Sequence, residues 1–276
     1  MSGDHEWQTI SLVRAGALAR VSFARPQKKN AMNPRLHEEM LQAVSLLNAD
    51  DEVRVIVIAG SGGSFCAGAD IKEFFSELEH DAARRAQVME TARAWMWDAV
   101  AQSPKVTLAM IDGVCLGGGM LVAMACDIAV ASDRALFGLP EINWGHLPGG
   151  AASAKSIEMM GSRRALYYAL TGKTFGGREA LDFGLVNEVV AHEALPGHVD
   201  ALAGELAGKS PWAVRSIKEI YRTVPGMKLP EVHDYVNAKL DQLRLLDAGG
   251  HRSRGMQGFL DKRLRTTEVP GPAEPQ

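Results

Sequence analysis

The stretch Val53-Arg54-Val55-Ile56-Val57-Ile58-Ala59-Gly60-Ser61-Gly62-Gly63-Ser64-Phe65-Cys66-Ala67-Gly68-Ala69-Asp70-Ile71-Lys72 decides the fold class. Val53 to Ala59 is a β-branched, nearly continuous apolar run, the pattern of a strand buried on both faces. The glycines after it release the chain into a loop, and Ala67 to Lys72 reads as a turn entering a helix. A strand, a small-residue turn and a helix in that order predict an α/β unit with a parallel sheet.

The layout repeats outward from this stretch. Ala82 to Ser103 has helical spacing, with Val88, Ala92, Trp95 and Ala99 on one side. Val106 to Ile111 is another strand and runs into Gly113-Val114-Cys115-Leu116-Gly117-Gly118-Gly119. Upstream, Ile10–Val13 and Leu18–Phe23 flank Ala15-Gly16-Ala17 as a hairpin. Asn33-Pro34 is an N-cap with proline at the first helical position, followed by Leu36, Met40, Leu41, Val44 and Leu47 on one face. Downstream, Asp127–Ala131 reads as a strand, and Ser156–Met160, Arg164–Leu170 and Ala180–Phe183 as short helices. Beyond about Pro196 the strand signal fades into helices over Val199–Ala207, Pro211–Tyr221 and Glu231–Leu246. The proline-rich Thr266–Gln276 is expected to be disordered. The expected organisation is a core over residues 1–200, a helical region over 201–265 and a tail over 266–276.

Composition narrows the function. The chain has 276 residues, 46% hydrophobic and 23% charged, with a formal net charge of −3, which gives no electrostatic reason to bind nucleic acid or an anionic membrane. No segment is long and apolar enough to span a bilayer. The acidic and polar N-terminus lacks the basic start and apolar centre of a secretion signal, so a cytoplasmic location is expected. Three cysteines, Cys66, Cys115 and Cys126, argue against a disulfide framework.

Several familiar motifs fail on spacing. Gly172-Lys173-Thr174 ends like a phosphate-binding loop, but Tyr167 stands where that motif needs glycine. His192-Glu193 has its next histidine at His198, with Pro196-Gly197 between, so no zinc-binding helix is expected there and no metal site is assigned. Gly-x-Ser-x-Gly is absent.

What remains is the pair of turns at 64–72 and 113–119. Amides in the first turn of a helix lack intrahelical partners and favour developing negative charge, so two such turns can converge on one oxyanion. The ordinary alternative is that these glycines only permit close strand–helix packing. Further on, Phe137-Gly138-Leu139-Pro140-Glu141-Ile142-Asn143-Trp144-Gly145 sets a carboxylate among apolar and aromatic neighbours, which would raise its pKa.

At these residues the chain resembles the crotonase, or enoyl-CoA hydratase, superfamily. The likeness runs from Arg25-Pro26 through Lys262 and includes Lys28-Lys29-Asn30-Ala31-Met32, Ala67-Gly68-Ala69-Asp70-Ile71-Lys72, Gly117-Gly118-Gly119 and Ala125-Cys126-Asp127-Ile128-Ala129. The resemblance implies a crotonase-like α/β spiral of ββα units with a C-terminal helical trimerisation region, assembled as a homotrimer or a hexamer of two trimers. It implies that the main-chain amides of Ala69 and Gly118 stabilise a thioester enolate, with Glu141 as acid and base. It also implies a coenzyme A site at Lys28, Lys29, Ala31, Ala67, Asp70 and Ile71, with Phe259 and Lys262 reaching a neighbouring subunit's nucleotide. Coenzyme A is then part of the substrate and no prosthetic group is expected.

Within the superfamily the chain is most similar to hydroxycinnamoyl-CoA hydratase-lyases, through Glu141–Gly145, Leu170–Gly177 and Ala238–Gln242. Two tyrosines that recognise the phenolic end there correspond to Phe74 and Asn237, and a nearby serine to Leu121. Leu121 also stands where typical hydratases carry a first catalytic glutamate. Phe74, Leu121, Trp144 and Asn237 are therefore the expected acyl pocket, with Trp95 or Tyr235 as further aromatic walls. The leading expectation is an enoyl-CoA hydratase, a lyase that adds water through Glu141 alone. The alternatives are a hydratase-lyase releasing an aromatic aldehyde and acetyl-CoA, and a non-catalytic acyl-CoA-binding subunit. His146 reads as an ordinary loop histidine and Cys66 as a packed thiol.

Overall fold

The computed structural model describes residues 6–247 and 250–260, which fall into two units divided between Gly208 and Lys209. In the first unit, the hairpin β1 (Ile10–Ala15) and β2 (Leu18–Phe23) leads to helix α1 (Pro34–Ala49), whose cap is the Asn33 side chain accepting the Leu36 N–H at 2.9 Å. Then come β3 (Val55–Gly60), a π-helical turn (Ile71–Ser76) and α2 (Ala82–Arg93), which continues as a second π-helical stretch to Val100. Strands β4 (Val106–Ile111) and β5 (Val114–Leu116) precede α3 (Gly118–Ala125), and β6 (Ile128–Ser132) and β7 (Leu136–Gly138) precede a 3-10 turn (Pro140–Trp144). The unit closes with α4 (Ala152–Met160), α5 (Ser162–Thr171), β8 (Thr174–Gly176), α6 (Gly177–Asp182), β9 (Glu188–Val190) and α7 (Leu195–Ala207).

Six strands form one sheet in the order β1-β2-β3-β4-β6-β9, parallel except for the hairpin. Strands β5, β7 and β8 form a second sheet. Two isolated parallel bridges, Met32 with Ala69 and Cys66 with Cys115, extend that layer toward α1. Each turn of the chain thus lays one strand in the large sheet and one extended segment in the small layer before its helix, which is the ββα spiral. The three-residue strands of the small layer are too short to carry a periodic signal. Apolar side chains of β2, β3, β4, α1 and α3 fill the core, with Trp95, Phe23 and Phe65 among its largest fully buried members.

One expectation changes. The helix over 82–103 is not one α-helix: its π-helical register from Ala94 buries Met96 and Val100 beside Trp95, and leaves Ala99 only partly buried. Pro196-Gly197 lies in the first turn of α7, where a proline costs no hydrogen bond, and His192 precedes that helix in a separate 3-10 turn (His192–Ala194), so no one helix carries both histidines. His192 and His198 meet different carboxylates, Asp112 and Glu188.

The second unit contains α8 (Pro211–Thr223), α9 (Leu229–Leu246) and α10 (His251–Leu260). Asn237 is exposed on α9, and Phe259 falls in α10. Lys262 and the expected Thr266–Gln276 tail lie outside the described residues. Among the described residues no helix is long and apolar enough to cross a membrane.

Candidate active site

Ala69 and Gly118 are brought together by different local devices. Gly118 opens α3 behind Gly117, so its N–H is a first-turn amide, as expected. Ala69 stands before Asp70, the cap of the π-helical turn, and owes its free side to the bridge with Met32 instead. The Met32 N–H donates to the Gly68 carbonyl at 2.7 Å and the Asp70 N–H donates to the Met32 carbonyl at 2.8 Å. Backbone groups alternate sides along an extended chain, so the Ala69 N–H points away from Met32.

Glycines make the meeting close. A Cβ on Gly68 would stand 3.3 Å from the Gly118 nitrogen, and one on Gly118 would stand 3.6 Å from the Ala69 nitrogen and 2.6 Å from the Met32 Cε. Gly117, at φ +50°, leaves room for the third group: a Cβ there would lie 2.6 Å from Glu141 Oε1 and 3.9 Å from the Gly68 Cα. The carboxylate, carried by the 3-10 turn after β7, therefore sits against Gly117, the residue that precedes the Gly118 amide.

Glu141 Oε2 is buried and has no hydrogen-bond partner among the described residues. Burial pushes the carboxyl above the ordinary glutamate range, and its own backbone amide and His146 only partly offset this. A buried oxygen with a free lone pair can hold a water and exchange protons with a bound carbonyl compound.

An open cleft of about 500 Å³ lies alongside, lined by Lys28, Ala31, Asp70, Ile71, Lys72 and Ser76. Its walls are fixed by buried polar contacts. Arg25 Nη1 donates to Asp70 Oδ2 at 3.1 Å and to the Ala31 carbonyl at 2.6 Å, while Nη2 donates to Glu73 at 2.5 Å. Burial alone would raise the Asp70 carboxyl, but the Glu73 N–H and the Arg25 guanidinium outweigh it and hold the group below its usual range. Lys29 and Asn30 adopt left-handed φ of 49° and 58°, and the Asn30 amide pins this turn to the Ser61 and Ser64 carbonyls at 2.9 and 2.7 Å. The Ala67 N–H donates to the Lys29 carbonyl at 2.9 Å. Lys72 and Ser76 join the expected set because the π-helical turn carries them to the cleft.

The expected acyl residues divide. Trp144 is exposed three positions after Glu141, and Leu121 is buried on α3, its Cδ1 3.3 Å from where a Cβ on Gly150, just before α4, would stand. Phe74 is half-buried against the His37 ring at 5.7 Å and Phe75 at 5.0 Å. Phe75, which sequence reasoning passed over, packs on Trp144 at 5.1 Å and on His146 at 5.0 Å. Its only sequence signal was adjacency to Phe74. Trp95 is no pocket wall: it is fully buried, with its indole N–H donating to His37 Nδ1 at 2.9 Å. Cys66 is a packed thiol, pushed up to about 12 by burial.

The family profile described as enoyl-CoA hydratase/isomerase matches residues 14–267. The chain is 40% identical to a hydroxycinnamoyl-CoA hydratase-lyase of Pseudomonas fluorescens, covering 92% of this chain and 93% of that protein. It is 36% identical to a "probable enoyl-CoA hydratase" of Bacillus subtilis, over 85% and 89% of the two chains. Among solved structures, enoyl-CoA hydratase subunit I of Geobacillus kaustophilus superposes with a TM-score of 0.84 at 33% identity, covering 94% of this chain and 98% of that one.

Proposed function

We propose, from the premise that this chain belongs to the enoyl-CoA hydratase/isomerase family, that it adds water across the α,β double bond of an enoyl-CoA with Glu141 as its acid and base. The observation that carries the reading is the placement of the Glu141 carboxyl against Gly117, the residue before the Gly118 amide, with Gly68 and the Ala69 amide packed against the same glycine pair.

The thioester oxygen accepts hydrogen bonds from the Ala69 and Gly118 N–H groups. Glu141 takes a proton from a water as the water oxygen bonds to the β-carbon. The π electrons move to the thioester oxygen, where the two amides stabilise the enolate, and the proton on Glu141 then passes to the α-carbon. Two oriented amides are worth about 3 kcal/mol each in comparable sites. Coenzyme A leaves with the product, so it is part of the substrate. Its nucleotide end is assigned to the cleft, where Lys28 and Lys72 supply positive charge and Ile71 an apolar surface.

A hydratase-lyase reading is favoured by the identity to the Pseudomonas fluorescens relative and by the aromatic surface of Phe75, Trp144 and His146. There Glu141 would also remove the β-hydroxyl proton; the α,β-carbon bond breaks to release the aldehyde, its electrons pass to the thioester enolate, and the proton on Glu141 goes to the α-carbon to give acetyl-CoA. Hydration alone is preferred because Phe74 carries no hydroxyl for a phenol. Supplying crotonyl-CoA and 4-hydroxycinnamoyl-CoA, and assaying 3-hydroxyacyl-CoA and aldehyde separately, decides between them. A non-catalytic subunit would bind both thioesters and convert neither.

Assembly as a homotrimer or a hexamer of trimers belongs to the same reading. Exposed Ile217, Tyr221, Leu240 and Leu245 in the second unit support it, because an apolar surface of that kind calls for a covering partner. Sedimentation measures it. The cytoplasm is the proposed location.

A further inference from the structure

The Ala69 amide owes its direction to a bridge of one residue pair, Met32 with Ala69, lying outside the named strands. Two backbone hydrogen bonds form it, from the Met32 N–H to the Gly68 carbonyl at 2.7 Å and from the Asp70 N–H to the Met32 carbonyl at 2.8 Å. So short a pairing has no ladder to hold its segments in register, and a small rotation would turn the Ala69 N–H.

The side chain of Arg25 does what a longer ladder would. Its Nη1 donates to the carbonyl of Ala31, the residue before Met32, at 2.6 Å, and to Oδ2 of Asp70, the residue after Ala69, at 3.1 Å. One nitrogen thus joins both segments of the bridge. Nη2 donates to Glu73 Oε1 at 2.5 Å, and Glu73 Oε2 accepts from Nδ2 of Asn33, the residue after Met32, at 2.6 Å. Asp70 Oδ1 accepts the N–H groups of Lys72 and Glu73 at 3.1 Å, which ties its carboxylate to the start of the π-helical turn. Ala31, Asn33, Asp70 and Glu73 are therefore linked through Arg25 in a closed circuit around Met32 and Ala69.

Arg25 is itself fixed: its N–H donates to Asn30 Oδ1 at 3.0 Å and its carbonyl accepts the Asn30 N–H at 2.9 Å. The side chains of Arg25 and Asp70 are 9% and 5% exposed, so their contact is little screened by water. A guanidinium presents its donors in fixed directions, whereas an ammonium is a point charge on a flexible stem.

Resting on the hydration reading, in which the Ala69 N–H donates to the thioester oxygen, we infer that Arg25 is a positioning residue for the reaction, its guanidinium clasping both segments of the Met32–Ala69 bridge and so fixing the direction of that amide at the developing oxyanion. It acts through the backbone and needs no contact with substrate. An oxyanion donor works only when aimed at the oxygen, so loss of the clasp registers in the chemical step as well as in binding.

Arg25→Met and Arg25→Lys test this, the second keeping the charge without the fork. With crotonyl-CoA, kcat should fall about tenfold in both, less than the loss of about 10²-fold or more on removing an oxyanion donor, because the amide is turned and not deleted. A cleft wall that merely loosens raises KM and leaves kcat alone, and that result overturns the inference. The second readout is the absorption band of 4-(dimethylamino)cinnamoyl-CoA, which moves to longer wavelength when hydrogen bonds polarise its conjugated carbonyl. At saturation the wild-type protein should shift the band, and each folded variant should leave it closer to its position in water. Should neither Arg25 variant fold, Glu73→Ala, at a side chain 33% exposed, removes the outer contact of the clasp and should move both readouts the same way by a smaller amount. Variants that match the wild-type protein in band and kcat defeat this inference and leave the hydration reading standing. A wild-type protein that does not shift the band has no polarising amide to position, which also overturns the inference. Failure of the wild-type protein to hydrate crotonyl-CoA defeats the hydration reading alone, since the band still reports the clasp.

Discussion

Glu141 Oε1 occupies space that any side chain on Gly117 would claim, 2.6 Å from the position of a Cβ there. Gly117 also holds φ +50° and ψ −119°, which residues with a Cβ rarely adopt. The glycine therefore sets where the carboxylate stands. Gly117→Ala should push it off its position and lower kcat by about 10²-fold, the usual consequence of misplacing a reacting group by an ångström or so. Steady-state kinetics with crotonyl-CoA, run beside a melting curve to separate misplacement from unfolding, check this.

Replacing the carboxylate itself tests its role without disturbing the packing. Glu141→Gln should reduce kcat by about 10² to 10⁴-fold, the range for general acid–base groups, while crotonyl-CoA binding measured calorimetrically changes little. A variant as active as the parent would remove Glu141 from the mechanism.

Burial raises the Glu141 pKa, and the ionised form is the base. The acid limb of kcat/KM should accordingly fall above the ordinary glutamate value, activity dropping as pH decreases through the raised pKa. The sign for stability is opposite. A carboxyl with a raised folded-state pKa contributes stability below its unfolded pKa and loses it as pH rises through the folded one. Melting curves should show Glu141→Gln gaining on the wild-type protein as pH rises through that window.

Arg25 ties Asp70 and Glu73 together under the cleft. Removing one partner of a buried ion pair costs about 3–5 kcal/mol, so Arg25→Met should lower the denaturation midpoint and raise KM for the thioester as the cleft wall loosens. Because the Asp70 pKa is depressed, its contribution is present above the unfolded value and disappears as pH falls through the folded one. Asp70→Asn should therefore cost stability at neutral pH and progressively less in acid.

Cys66 and Cys115 are buried, and burial raises both thiols. Neither should react with iodoacetamide until the protein unfolds, since the thiolate is the reactive form. Mass spectrometry of peptides alkylated with and without denaturant measures this. Labelling of Cys66 in the native protein at the rate of a free thiol contradicts its burial.

Much of this arrangement could be read along the chain. The apolar runs of β3 and β4, the Asn33-Pro34 start of α1 and the small-residue turns are local patterns, and local patterns carry their own physical cause. Illegible were features made by contacts between distant segments. Phe75 became a site neighbour through Trp144, Trp95 was drawn into the core by His37, and the π-helical register after Ala94 followed the packing around it.

The two amides show the division most clearly. The run Gly117-Gly118-Gly119 by itself determined that Gly118 would present a free N–H, because any helix start leaves its first amides unpaired. Nothing near Ala69 in the sequence does the same for it. Its freedom comes from the bridge to Met32, and its nearness to Gly118 from the absence of side chains at Gly68, Gly117 and Gly118, contributed by two separate turns of the spiral. Segments far apart in the chain meet only once the sheets are stacked, so the composition of the site was written in the sequence and its convergence was decided by the fold.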